Sequence, residues 1–480
     1  MSENKTKEKA FSTINTKSFI TVMILLTVIL LVSGCLSYFI PQGAFLRDSE
    51  GVIIPGTYVA GQIKGIAIWR VITAPFRVFA SEDALTIIMI SIFLLIMSGV
   101  FNLMEKTGGV KIFIGKIVRR FVNSKKLVVC IAVFVFMLFG SFFGMFEELA
   151  TLIPIVVVFM LSMGFDTLTG LGVCLLAACF GFSSAITNPF SVGLASEIAG
   201  VTIFDGVWLR AVFFVFIYAV VCIFLLIHTK KIATNPQRSL TYTLDREKLA
   251  NLDFESSLME SEQDKKVFKV FAIFFLVQLI VLILVASISA ISGYAIPILA
   301  ASFLIAGIIS GLCVCERKKE VFKHILSGAA AMLPAIVMIA FASSVKLVMT
   351  ESNIIDTIMN FVIEALKDKS PFVCILLIYL LILFLQVFIG SASAKIMLIM
   401  PIVLPICQTL GISPVLVIFT YCIADGFTDV ILPTNPVLLI GLSIAGVSYG
   451  KWVRWTWPLQ IFVFISTIFI LWFATAIGYC

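Results

Sequence analysis

Charge is what this sequence has least of. Asp, Glu, Lys and Arg make up 13% of its 480 residues, against ~25% in soluble globular domains. A soluble chain of this length would fold as several domains under a charged surface, so that class is excluded. Histidine is almost absent: His228 and His324 are the only two, both near lysines at the edges of apolar runs. The 11 cysteines include no CxxC pair. Cys130, Cys174, Cys179, Cys222 and Cys374 lie inside apolar runs, where thiols pack as small hydrophobes. These scarcities argue against a metalloenzyme. No glycine-rich phosphate loop occurs, so ATP is not expected to drive the process. The net charge of +7 does not signal nucleic acid. The basic residues sit between apolar runs, where they orient a membrane protein.

What the chain does have is hydrophobic length. Hydrophobic residues make up 61% and the mean hydropathy is +1.14. The apolar runs are about 20 residues long, which as helix spans a hydrocarbon core of ~30 Å. The fold class is an all-α integral membrane protein. Residues 1–18, with Lys5, Lys7, Lys9 and Lys17, read as a cytoplasmic tail. A first span is expected at about 19–40, too long for a cleaved signal peptide. Its Leu31-Val32-Ser33-Gly34-Cys35 imitates a lipoprotein processing box, but the apolar run continues past it. Residues 41–83 are too mixed to span and predict a short outside hairpin around 43–54. A second span at 85–104 leads into a loop with seven basic residues, Lys106 to Lys126, which marks the cytoplasmic side.

A repeat organises the rest. Thr187-Asn188-Pro189 recurs as Thr434-Asn435-Pro436, 247 residues later. The same offset joins Pro154 to Pro401, Gly164 to Gly411 and Glu148 to Lys395. Units this long are structural halves rather than solenoid repeats. In each half a long apolar stretch is interrupted by a polar tip: Gly144-Met145-Phe146-Glu147-Glu148 in 127–163, and Gly390-Ser391-Ala392-Ser393-Ala394-Lys395 in 371–410. Charges in such a stretch are costly in lipid, so each is expected to be a re-entrant hairpin whose tip lies in a protein-lined cavity. A broken helix follows each hairpin, at 168–199 and at 412–447. Asn is a good N-cap and proline is favoured at the first helical position. Each Thr-Asn-Pro therefore starts a helix in mid-membrane, with free N–H groups and a positive dipole end facing the break.

The expected organisation is an N-terminal half over 19–228, a cytoplasmic linker over 229–266 and a C-terminal half over 267–480. Further spans are expected at about 209–226, 267–290, 294–314 and 329–349, with an amphipathic interfacial helix at 353–366. About nine full crossings result, with the two halves inverted, the N-terminus inside and the C-terminus outside.

Two tips and two breaks should converge at the bilayer midplane, the arrangement of secondary transporters. The candidate substrate or ion ligands are Ser183, Ser184, Thr187 and Asn188 from the first half. From the second half they are Ser391, Ser393, Thr434 and Asn435. Each hydroxyl has the alternative of an ordinary helix–helix hydrogen bond. Glu147, Glu148, Lys395, Asp425 and Asp429 are intramembrane charges, and such charges mark function. Lys395 could bind a substrate carboxylate or stand where a cation would otherwise bind. The carboxylates could carry a proton, receive an amino group, or form structural salt bridges. Na⁺ or H⁺ is the expected coupling ion, and no cofactor is implied.

The segments Gly144–Glu148, Ile186-Thr187-Asn188-Pro189-Phe190, Gly390–Lys395 and Asp425-Gly426-Phe427-Thr428-Asp429, with Tyr449-Gly450-Lys451-Trp452 and Ile40-Pro41-Gln42-Gly43, carry a resemblance. The chain resembles the YfcC-type branch of the C4-dicarboxylate anaerobic carrier family. The resemblance implies secondary transport at the cytoplasmic membrane, a scaffold with a moving core, and a homodimer working by an elevator motion. Branches of that family are assigned to dicarboxylates and to basic amino acids, including arginine–ornithine exchange. Divalent-anion symporters of the same superfamily carry Ser-Asn-Thr at their hairpin tips. The tips here do not, so their two sodium sites do not transfer directly. The substrate is thus expected to be a small carboxylate-bearing metabolite. An ion channel would instead need a continuous polar pore. An intramembrane enzyme would need paired carboxylates as acid and base, and Glu147 and Glu148 are merely adjacent in sequence.

Overall fold

In hydrocarbon an unpaired backbone N–H or C=O costs several kcal/mol, so apolar runs satisfy themselves as helices. The computed structural model describes residues 16–480 apart from 47–53, 55, 83, 110–111, 113–123, 147–148, 150–151, 252–261, 288–293 and 367–368. Among the described residues the regular structure is helical, apart from one antiparallel bridge between Ala44 and Val59.

The first helices are α1 (Thr16–Leu36), α2 (Ile68–Arg77) and α3 (Ala84–Lys106). Next come α4 (Lys125–Phe143), α5 (Ile153–Ser162), α6 (Thr167–Ser184) and α7 (Phe190–Ala199). The first half ends with α8 (Val207–Thr234), and the linker holds α9 (Tyr242–Asn251). Four helices follow: α10 (Glu262–Ser287), α11 (Ala295–Val314), α12 (Lys318–Ala331) and α13 (Leu333–Glu351). The chain continues through α14 (Ile354–Leu366), α15 (Pro371–Gln386), α16 (Ala392–Thr409), α17 (Pro414–Gly426), α18 (Pro436–Ala445) and α19 (Tyr449–Ala476). Among the described residues six helices are long and apolar enough to cross a membrane, or seven if α12 and α13, which meet at a 41° bend, form one span. The protein is therefore a multi-pass membrane protein. The expected single span at 329–349 is the bent pair, because Pro334 starts a new helix after Met332.

Segment 41–83, expected outside, departs most from expectation. Ile54 N–H donates to the Leu46 carbonyl at 2.8 Å across the expected 43–54 hairpin, whose turn lies outside the described residues. Helix α2 was not foreseen. It buries Val71, Ala74 and Pro75 and leaves Ile68, Trp69, Ile72 and Phe76 exposed. Arg77 ties it to α13 through an ion pair with Glu351.

The centre of the molecule is α6, buried along its whole length. Glycines let α4 approach it. A methyl on Gly140 would lie 2.2 Å from the Ala178 carbonyl oxygen, and one on Gly181 would lie 2.2 Å from the Met137 carbonyl oxygen. Such small-residue crossings hold helices together in lipid, where the hydrophobic effect does not. On the outer helices apolar side chains face outward instead, as Ile223 and Ile227 do on α8 and Ile465 and Phe469 on α19.

The repeat positions share backbone geometry. Gly200 ends α7 at φ +67° and Gly446 ends α18 at φ +68°. Gly164 and Gly411, before the two broken helices, have φ +85° and +70°. Asp166 and Ser413, also 247 residues apart, each cap the helix that follows.

Candidate functional site

The first break is four residues, 185–188. Ala185 closes α6 at φ +39°, a left-handed value uncommon for a residue with a side chain. The next two amides leave the helix and find partners on α4: Ile186 N–H donates to Ser141 Oγ at 3.1 Å, and Thr187 N–H to the Ser141 carbonyl at 3.2 Å. Asn188 then caps the following turn, its Oδ1 accepting from Phe190 N–H at 2.9 Å. Gly144, at the C-terminal end of α4, meets this cap. A methyl there would lie 2.2 Å from Asn188 Oδ1. The first tip and the first break are therefore in contact.

The second break runs from Phe427 to Asn435. Asn435 Oδ1 accepts from Val437 N–H at 2.9 Å and starts α18. The second tip reaches it through Gly390, whose added methyl would lie 3.4 Å from the Thr434 carbonyl oxygen. Three residues of α19 donate to the carbonyls freed by this break: Trp452 to Val430, Tyr449 to Ile431 at 2.6 Å and Gln460 to Phe427 at 3.1 Å.

The two halves also touch each other. Gly426 packs so closely on Ser183 that a methyl would lie 2.4 Å from Ser183 Cβ. Cys179 Sγ donates to the Gly426 carbonyl at 2.9 Å. Ser393 Oγ reaches the Phe190 carbonyl at 3.4 Å, joining the second tip to the first half-helix. Within the second half, Tyr421 OH donates to the Ala392 carbonyl at 2.7 Å.

The charges sit inside this convergence. Lys395 Nζ is ion-paired with Asp425 Oδ1, with side-chain exposures of 0% and 1%. Gln386 Nε2 donates to the Asp429 carboxylate and to the Asp425 carbonyl, the latter at 3.0 Å. The Asn435 side chain also hydrogen-bonds Asp429. Among the described residues Asn188 Nδ2, Gln386 Oε1, Asp425 Oδ2, Thr428 Oγ1 and Thr434 Oγ1 are buried without a hydrogen-bond partner. Buried polar groups are normally satisfied, so this is a site with spare valence for a polar guest.

The expected site residues divide accordingly. Asn188, Ser393, Lys395, Asp425, Asp429, Thr434 and Asn435 come together with the tips and breaks. Ser183 and Ser184 lie within α6, not in the break, because the backbone leaves the helix only at Ala185, at φ +39°; their hydroxyls bond back to the Phe180 carbonyl at 2.9 and 3.1 Å. Thr187 is half-buried and donates to the Phe142 carbonyl at 3.1 Å. Ser391 is exposed and caps α16, so the tip helix starts earlier than expected and carries Ser393 and Lys395 in its first turn. Glu147 and Glu148 lie outside the described residues.

Sequence reasoning missed a second polar cluster, where the linker docks. Asp166 Oδ1 caps α6 by accepting from Thr169 N–H at 2.8 Å. Its Oδ2 accepts from Ser239 Oγ at 2.6 Å and lies 2.9 Å from His228 Nε2. Burial alone would raise the Asp166 carboxyl, but these donors outweigh it and hold it below the usual range. Trp455 Nε1–H donates to His228 Nδ1 at 3.1 Å, so the imidazole keeps its proton on Nε2. Asp245 accepts from Thr167 N–H at 3.2 Å and from Thr241 Oγ1 at 2.7 Å. Lys248 Nζ donates to Thr167 Oγ1 at 3.2 Å and to the Ala445 carbonyl at 2.6 Å. Helix α9 thus fastens the start of one broken helix to the end of the other. Nothing in a polar 229–266 segment marked Asp245 as buried or Lys248 as the partner of Thr167 and Ala445.

The family comparison agrees with a membrane transporter. The family model for the C4-dicarboxylate anaerobic carrier matches residues 18–476. An uncharacterized protein of Haemophilus influenzae is 27% identical over 424 residues, covering 86% of this chain and 80% of the relative. The putative basic amino acid antiporter YfcC of Escherichia coli is 24% identical over 405 residues, covering 82% and 79%. Among solved structures, the YdaH transporter of Alcanivorax borkumensis aligns with TM-score 0.42 and 18% identity over 96% of this chain and 98% of that one. MtrF of Neisseria gonorrhoeae, described with a class of antimetabolite efflux pumps, aligns with TM-score 0.41 and 16% identity over 94% of each.

Proposed function

Since this chain belongs to the C4-dicarboxylate anaerobic carrier family, we propose that it is a secondary active transporter for a small carboxylate-bearing metabolite, an amino acid or a C4-dicarboxylate. The observation that carries this reading is the meeting of two tips and two helix breaks around the buried Lys395–Asp425 pair. A half-helix N-terminus offers N–H groups and a positive dipole end to a carboxylate, and each break has one, after Asn188 and after Asn435. Lys395 is the cation for the same ligand. Asp425 and Asp429 receive an amino group or a proton.

In this reading the core halves, about 84–228 and about 329–479, are inverted repeats, and the whole chain makes nine crossings with two re-entrant hairpins. The core moves against a scaffold by alternating access, coupled to Na⁺ or H⁺ or to exchange, in a homodimer. The protein is a carrier and not an enzyme. The family's name points to dicarboxylates and the Escherichia coli relative's name to basic amino acids.

Counterflow in proteoliposomes tests the reading. Vesicles are loaded in turn with unlabelled arginine, ornithine, aspartate, succinate or malate, and entry of the labelled compound is followed with and without Na⁺. Accumulation of at least one of them is expected, and Asn188→Ala should abolish it at equal reconstitution. Wild-type vesicles that accumulate none of the five would overturn the assignment.

A further inference from the structure

The transport core holds very few cations. Between Lys126 and Arg210 the sequence has no lysine, arginine or histidine, and between Lys369 and Lys451 it has only Lys395. Over the same segments it has Glu147, Glu148, Asp166, Glu197, Asp205, Asp425 and Asp429. The single cation is wholly buried and already engaged by Asp425. The partners come from different elements: Lys395 from the first turn of α16 and Asp425 from the last turn of α17, just before the second break. The pair therefore joins the tip to the break without any ligand.

The two aspartates are not equivalent. Asp429 is held by two neutral amide donors, Gln386 and Asn435. Asp425 has no side-chain donor among the described residues other than Lys395, and its Oδ2 has no partner at all. Asp425 is thus the carboxylate whose charge balance depends on one movable group.

Resting on the transporter reading, we propose that Lys395 is a tethered counter-cation that lets the empty carrier reorient, and that the ligand is a zwitterion whose ammonium group takes its place on Asp425. An unpaired buried charge costs several kcal/mol even after relaxation. A core that reorients with Asp425 bare would meet that cost in its barrier. With the Lys395–Asp425 pair closed, Asp425 is balanced without a bound ion. When a zwitterion enters, its ammonium pairs with Asp425, and its carboxylate pairs with the released Lys395 and the half-helix N–H groups. Asp425 is paired in both states, so neither meets the cost of a bare Asp425 in its barrier. Net transport then needs neither Na⁺ nor a substrate on the opposite side. A dicarboxylate has no group that could replace Lys395 on Asp425.

The test compares two fluxes in the same proteoliposomes. Vesicles loaded with labelled citrulline, a net-neutral zwitterion, are diluted into Na⁺-free medium, with or without unlabelled citrulline outside, at a clamped membrane potential. Wild-type protein should release label into substrate-free medium at a rate comparable to exchange. Lys395→Gln should lower the ratio of net efflux to exchange by about tenfold or more, because leaving Asp425 bare costs the empty state more than the loaded one. Lys395→Arg should restore the ratio. The proposal is overturned if citrulline is not exchanged, if wild-type efflux requires external citrulline or Na⁺, or if Lys395→Gln lowers both fluxes in equal proportion. It also fails if counterflow occurs only with succinate or malate, an outcome that leaves the transporter reading standing. Should Lys395→Gln not reconstitute, the wild-type fluxes alone still decide.

Discussion

Lys395 and Asp425 can be separated from their neighbours by a double-mutant cycle. Removing one partner of a buried pair leaves an uncompensated charge, which costs about 3–5 kcal/mol, while removing both can be nearly neutral. Lys395→Ala and Asp425→Ala should each lower the thermal unfolding temperature of the detergent-solubilised protein, and the double variant should recover most of the loss. Additive losses would mean that the two side chains do not depend on one another. All three variants should fail in uptake, because the double variant keeps balance but has nothing to offer a ligand. The residue types were legible in the sequence, since a lysine and two aspartates in apolar surroundings stand out at once. Their pairing was not. Thirty residues separate Lys395 from Asp425, and only the packing of α16 on α17 decides that Lys395 meets Asp425 rather than Asp429.

At the scale of elements, the crossing of α4 and α6 and the docking of α9 make separate predictions. Gly181→Ala would place a methyl 2.2 Å from the Met137 carbonyl oxygen, and overpacking of this kind costs about 1–3 kcal/mol or more. Folded yield, measured by size-exclusion chromatography, should fall. Gly450→Ala, where nothing lies within 4 Å, should leave it unchanged. Equal yields would show that the close crossing is not needed. For α9 the handle is pH. Burial pushes the Lys248 ammonium down to about 8, against the pull of Asp245, whereas a solvated lysine titrates at about 10.4. Between these values the undocked helix binds more protons than the docked one, so docking strengthens as pH rises through about 8 toward 10. Hydrogen-exchange protection of residues 242–251, corrected for intrinsic rates, should rise roughly tenfold from pH 7 to pH 9. Lys248→Met should remove that rise; a rise that persists would assign it to another group. The helix ends themselves were largely readable, because Asn-Pro and Gly dictate caps locally. The glycine contacts were not, because a glycine in a helix looks the same whether it faces lipid or a neighbouring backbone.

For the whole molecule the open matter is orientation. The basic loop 106–126 on one side predicts an outside C-terminus. Cys480 is exposed, and a membrane-impermeant maleimide applied to intact cells should label it, with the Cys480→Ser variant losing that label. Labelling that requires opened membranes would reverse the topology and with it the sense in which each hairpin enters.

By itself the sequence determined the membrane class, the periodic spans, the 247-residue repeat and the polar interruptions, because each follows from local chemistry: hydropathy, capping and the cost of charge in lipid. The tertiary structure decided which polar atoms meet. It moved Ser183 and Ser184 into a helix, left Ser391 at the surface, paired Lys395 with Asp425, and brought His228 from the end of α8, and Asp245 and Lys248 from a polar linker, to the ends of the broken helices. Those outcomes depend on helix crossings between segments distant in sequence, and no local pattern encodes which face of a helix another chain segment will cover.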